Sequence, residues 1–128
     1  MQIHQSAEDY LETILMLNQG MGRVRSIDVV NELGYTQASV SIAMKKLREN
    51  GYIAVDGEGN LTLLEPGREI AERIYSRHRL LTHFFVQLGV DEEVAAEDAC
   101  KAEHILSEQT LEKIREYALL HDAQDSVK

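Results

Sequence analysis

Apolar positions recur at helical spacing through most of the chain and alternate in strand fashion over only one short stretch. Tyr10, Leu11, Ile14, Leu15 and Leu17 form a broad stripe that predicts a first helix from about Ala7 to Gln19, with Ser6 as N-cap and Gly20 and Gly22 ending it. Next comes SIDVVNELGYTQASVSIAMKKLRENGYI. Ser26 is placed to cap a short helix that turns Ile27, Val30 and Leu33 inward, and Gly34 supplies a left-handed stop. After a tight turn, a second helix is predicted from Thr36 or Gln37 to Asn50, with Val40, Ala43, Met44 and Leu47 inward and Gln37, Ser41, Lys45 and Arg48 outward. Two short helices joined in this way match a helix-turn-helix; a plain helical hairpin with a solvated face is the alternative for that segment alone. Tyr52–Val55 and Leu61–Leu64 read as strands around the turn Asp56-Gly57-Glu58-Gly59-Asn60, and a hairpin at that place makes a winged helix.

Beyond Glu65-Pro66-Gly67 the strand pattern stops. Ile70, Ile74, Leu81, Phe84 and Phe85 predict a long helix to about Leu88, with His78 between Arg77 and Arg79. Asp91 caps a further helix carrying VDEEVAAEDACKAEHIL, with Glu92 and Glu93 suited to its positive end. Ser107 caps a last helix to about Leu120, and the tail HDAQDSVK reads as polar and frayed. Leu111, Ile114, Ala118 and Tyr117 on that last helix have little in so short a chain to bury against, which predicts a helical dimer interface. The fold expected is mainly α, with an N-terminal winged helix-turn-helix over 1–65 and an α-helical dimerisation domain over 66–128.

Composition narrows the setting. The 128 residues contain one Pro and one Cys, so an internal disulfide is excluded and Cys100 is available as a thiolate in a reducing compartment. No apolar run approaches the roughly 20 residues that span a bilayer, and no basic-then-apolar leader opens the chain; a cytoplasmic protein with no membrane partner is expected. A net charge of −9 disfavours nucleic acid at first sight. The charge is uneven, however: between Gly20 and Tyr52, Arg23, Arg25, Lys45, Lys46 and Arg48 outnumber Asp28, Glu32 and Glu49. The wing tip carries Asp56 and Glu58 without a basic residue, so it adds little attraction to phosphates.

The candidate chemistry lies in CKAEHILS. On a continuous helix Cys100, Glu103 and His104 fall at i, i+3 and i+4, placing a thiol, a carboxylate and an imidazole on one face. These are donor types for a divalent transition metal. Three donors seldom complete a site; Asp9 and Glu12, an i, i+3 carboxylate pair, and His78 are the further candidates. Each also has a plainer reading. Asp9 could complete the cap of the first helix, Glu12 could be a solvated glutamate, and a lone mid-helix histidine is more often a packing or surface residue. Catalysis by Cys100 with His104 as base is disfavoured, since no oxyanion-forming glycine turn accompanies them and the winged helix would be idle. The chain is not expected to be an enzyme.

Asp9-Tyr10-Leu11-Glu12, the winged helix, Tyr75-Ser76-Arg77-His78-Arg79-Leu80-Leu81, and Gly89-Val90-Asp91-Glu92-Glu93 through Glu103-His104 together resemble the diphtheria toxin repressor family, and most nearly its short manganese transport regulator branch. The resemblance spans nearly the whole chain. It implies a metal site of Asp9, Glu12, His78, Cys100, Glu103 and His104. Cys100 departs from that branch, which has glutamate there, and agrees with the iron-responsive branch, which in turn has methionine where this chain has Asp9. Thr82 and Ala96 stand where the iron branch's secondary site needs a carboxylate and a histidine, and that branch's SH3-like third domain is expected to be missing.

The implied function is a homodimeric repressor of iron or manganese uptake genes, activated by Fe(II) or Mn(II), with Zn(II) and Co(II) as further ions the same donors take in vitro. A thiolate favours Fe(II), Co(II) or Zn(II) relative to Mn(II), and losing a bridging carboxylate favours one principal ion. The DNA partner is a palindromic double-stranded operator, with Thr36, Gln37, Ser39 and Ser41 at base edges and Arg25, Lys45 and Arg48 on phosphates. The competing reading is a winged-helix DNA-binding or interaction module without metal control.

Overall fold

The structure, a computed structural model, describes residues 5–127, with side chains over 6–122. It comprises α1 (Gln5–Met21), α2 (Ser26–Leu33), α3 (Gln37–Glu49), β1 (Ile53–Val55), β2 (Leu61–Leu63), α4 (Glu65–Gln87), α5 (Glu92–Ala102) and α6 (Glu108–Val127). The chain divides into two compact units, 1–73 and 74–128, and the division falls inside α4.

The first unit is a winged helix. Leu11, Ile14 and Leu15 of α1 are buried at the i, i+3, i+4 spacing of one helical face. Ser6 lies within α1 rather than capping it. α2 starts one residue earlier than expected. Arg25 takes the N-cap position in an extended conformation, and its backbone N–H donates to Asp28 Oδ2 at 2.9 Å. The apolar stripe of α2 also differs: Val29 is buried and Ile27 is exposed, because the two sit about 160° apart around a helix and only one can face the core. Gly34 is left-handed, with φ 73°, and its N–H donates to Val30 O, as a glycine stop requires. On α3, Val40, Met44 and Leu47 are buried as the pattern predicts.

The wing is a two-stranded antiparallel hairpin with Ile53 opposite Leu63 and Val55 opposite Leu61. Ile53, Leu61 and Leu63 face the core, and Leu61 N–H reaches back to Val24 O at 2.7 Å. Asp56 organises its turn by accepting from Glu58 N, Asn60 N and Asn60 Nδ2, each at 2.9 Å. Hydrogen bonds from the Asn60 side chain and backbone hold the Asp56 carboxyl below the usual carboxylate range. At the start of α4 only glycine fits at position 67: a Cβ there would sit 2.1 Å from the Tyr52 carbonyl oxygen.

The second unit packs the remainder of α4 against α5 and α6. Leu81, Ala99 and Leu111 are its buried centre, with Leu80, Phe85, Ala102, Leu106 and Ile114 around them. Two expectations are corrected here. Leu111 and Ala118 are buried inside the unit, Leu111 in one cluster with Leu81 of α4 and Ala99 of α5. Tyr117, Leu119 and Leu120 are the exposed apolar residues of α6. The helix also runs to Val127 instead of fraying after Leu120, with His83 Nε2 3.0 Å from Asp122 Oδ1 and Gln87 Nε2 2.7 Å from the same oxygen tying its end to α4. Among the described residues, no helix is long and apolar enough to cross a membrane.

Candidate metal centre and nucleic-acid interface

In the second unit, α5 ends at Ala102, earlier than its apolar pattern suggests. Glu103 is the C-cap, still in a helical conformation, and His104 lies in the turn that follows. Cys100 therefore lies in the helix proper, Glu103 at its cap and His104 one residue beyond. Glu103 is completely buried; its Oε2 lies 3.0 Å from His78 Nδ1, and its Oε1 lies 3.4 Å from His104 Nε2. The His104 side chain is 1% exposed and that of His78 21%. Cys100 is exposed, with Sγ within 4.8 Å of a Glu103 carboxylate oxygen.

A carboxylate removed from water needs a charged or hydrogen-bonding partner. The Glu103 carboxylate has one hydrogen bond, from Oε2 to His78, while Oε1 accepts none from the described residues. One buried acidic oxygen is thus left facing an imidazole, and a thiol stands within reach. A carboxylate, imidazoles and a thiolate are donor types suited to a divalent transition ion, and His78, Cys100 and His104 each lie near Glu103.

Arg77 is a supporting residue that its sequence position does not announce. Its side chain, 13% exposed, donates from Nη1 to Glu103 O at 3.1 Å and pairs through Nη2 with Glu108. It fastens the turn between α5 and α6 from the residue next to His78. Its carboxylate partner lies 31 positions away, so no local pattern signals the pair.

In the first unit, Asp9 and Glu12 keep their i, i+3 relation on α1, with Glu12 buried and Asp9 half-buried. The DNA candidates also lie in this unit. Arg25, Thr36, Gln37, Ser39, Ser41, Lys45 and Arg48 are all exposed. Thr36 is the N-cap of α3: its Oγ1 accepts from Ser39 N–H at 3.1 Å and donates to Ser39 Oγ at 2.8 Å. This hydroxyl has a structural duty, as the cap preference of threonine allows. Lys46 and Arg48 stand in the last turn of α3, and Lys45 one residue earlier is equally open.

Known proteins agree with both halves. Residues 2–61 match the N-terminal DNA-binding domain of the iron-dependent repressors, and residues 64–120 match their metal-binding and dimerisation domain. The chain is similar to an uncharacterised HTH-type transcriptional regulator of Methanocaldococcus jannaschii, at 36% identity over 87% of this chain and 90% of that one. It is 32% identical to the HTH-type transcriptional regulator MntR of Bacillus subtilis, over 96% of this chain and 87% of the relative. A solved manganese-dependent transcriptional repressor in complex with manganese superposes with a TM-score of 0.80 at 28% identity, covering 88% of this chain. The chain spans about half of that longer protein, 52%. With both of its domains matched in order, the chain belongs to the diphtheria toxin, or iron-dependent, repressor family of metal-dependent transcriptional regulators.

Proposed function

We propose that this protein represses iron- or manganese-uptake genes in the cytoplasm, binding a palindromic operator as a homodimer when Fe(II) or Mn(II) is loaded. The observation that carries the metal half is the fully buried Glu103 carboxylate between His78 and His104. The residues that would hold the ion are His78, Cys100, Glu103 and His104 from the second unit, with Asp9 and Glu12 of α1 completing the set. The bound ion would supply positive charge that offsets three carboxylates and a thiolate. The thiolate of Cys100 softens the site, which supports Fe(II) ahead of Mn(II) as the natural effector and one principal ion per subunit.

The chain's own residues perform the rest. Without compensation, Asp9, Glu12 and Glu103 repel each other, which favours arrangements that keep α1 apart from the second unit's donors. When that repulsion is removed, α1 becomes tied to His78 and Glu103, and the winged helix follows α1 through the shared core of Leu11, Ile14 and Leu15. In a two-fold dimer this posture holds two α3 helices about 34 Å apart, the spacing of successive major grooves. The effect can be no larger than the difference in ion affinity between the two postures. The exposed Tyr117, Leu119 and Leu120 of α6 supply apolar surface for the dimer contact. Lys45 and Arg48 would sit on phosphates with Arg25, while Gln37, Ser39 and Ser41 lie toward base edges.

The test is anaerobic selection of duplexes from a random pool with Fe(II), with Mn(II) and with chelator. Enrichment of one palindrome only in the metal arms is the expected result. Equal enrichment under chelator would support a winged-helix module without metal control.

A further inference from the structure

We propose that Ile42 reads the operator by contacting the 5-methyl group of a thymine in the major groove; the inference rests on the DNA-binding reading above. Polarity alone draws attention to Gln37, Ser41, Lys45 and Arg48, but the burial of α3 places its outward centre elsewhere. Val40 and Met44 are the buried residues two positions either side of Ile42. At about 100° per residue, Ile42 lies about 160° from both, so it stands on the opposite side of the helix from the core. It is 57% exposed. Ala38 and Lys45 share its outward line at i−4 and i+3.

Its neighbours make an apolar residue there conspicuous. Gln37, Ser39, Ser41, Lys45, Lys46, Arg48 and Glu49 are the exposed polar side chains of the same helix. Hydroxyls at the helix start are partly committed, since Thr36 and Ser39 bond one another in the cap. Ile42 also edges a cleft of about 370 Å³ lined by Ala7, Tyr10 and Leu47, and more than half its surface stays open. A branched, anchored hydrocarbon centred on the face of a helix that enters the major groove has one apolar feature to meet there, the methyl group of thymine. The basic side chains at positions 45 and 48 flank it and favour nucleic acid over an apolar protein groove as the occupant.

The experiment takes the duplex that the wild-type protein selects with Mn(II) and replaces each thymine in turn by deoxyuridine, which removes only the methyl group. Burying one such group is worth about a fourfold change in affinity. A loss of about threefold to tenfold is therefore expected at one position in each half-site, and none of that size elsewhere on the α3 footprint. Ile42→Ala should lose the same factor on the thymine duplex and become indifferent to deoxyuridine. Ile42→Gln should shift the base selected at that position toward adenine, which glutamine pairs through two hydrogen bonds. If every thymine can be replaced without loss, or the penalty persists unchanged in Ile42→Ala, the proposal is overturned while DNA binding stands. If the wild-type protein selects no duplex with metal, the DNA-binding reading falls and this inference with it.

Discussion

Glu103→Gln keeps the size of the buried side chain and removes its charge, which separates the cost of the empty site from its use. In the metal-free protein two effects oppose each other. The contact between Glu103 Oε2 and His78 Nδ1 at 3.0 Å is lost as a charge-assisted bond, at a cost of about 1.5–3 kcal/mol. Burial of a carboxylate with no exposed surface is relieved, which returns several kcal/mol, roughly the same size. The metal-free Tm should therefore move by only a few degrees in either direction. With an ion at about 100 times its Kd, the wild-type protein gains about 2.7 kcal/mol. For a chain of this length that is about 8–16 °C, at roughly 3–6 °C per kcal/mol. If the variant binds about 100-fold more weakly, only about 0.4 kcal/mol remains at that concentration, or about 1–3 °C. Far-UV circular dichroism melts with and without Mn(II), at one fixed protomer concentration, measure both quantities. A variant that keeps the full metal-induced rise in Tm would show that Glu103 does not hold the ion.

Three other perturbations address separate parts of the molecule. Cys100→Ala should leave the fold intact and weaken Fe(II) and Zn(II) more than Mn(II), because only the thiolate favours the softer ions; an unchanged ion preference in calorimetry removes Cys100 from the site. Gly67→Ala should destabilise the protein by about 1–3 kcal/mol, since the added Cβ meets the Tyr52 carbonyl at 2.1 Å and backbone must move; an unaltered denaturation midpoint contradicts this. The depressed Asp56 carboxyl contributes stability that is present above its unfolded value, about 3.9, and lost as pH falls through its lower folded value. Acidification should release the Glu58 and Asn60 amides in NMR spectra, and Asp56→Asn should abolish that pH dependence; amides that stay unmoved through the acid range would refute it.

The winged helix was legible because its signals are local. Buried Val40, Met44 and Leu47 follow a helical period, Gly34 stops α2, and Asp56 to Asn60 occupy a turn between short apolar runs. What escaped pattern reading depends on distant partners. Ile27 and Val29 are equally apolar, and only the packing of α2 selects Val29 for the core. The apolar run through Ile105 and Leu106 reads as continuous helix, yet α5 stops at Ala102, with Glu103 at its C-cap reaching His78 and His104 lying against Glu103. Leu111 reads as dimer surface because sequence does not reveal that α4 and α5 cover it. Arg77 gives no signal of its own. The candidate donors in the second unit were legible as residue types, and their convergence at Glu103 depends on a turn that the helical period conceals.

If α1 shares an ion with the second unit, as proposed, the decisive measurement is operator affinity as a function of Fe(II) or Mn(II) for the wild-type protein and for the Asp9→Asn, Glu12→Gln double variant. Coupling of about 1–3 kcal/mol predicts that metal tightens wild-type binding by about 5–150-fold. The double variant should bind DNA at the metal-free level throughout the titration. An equal metal-dependent gain in the double variant would contradict the account, because the second unit's donors would then act as the trigger without α1.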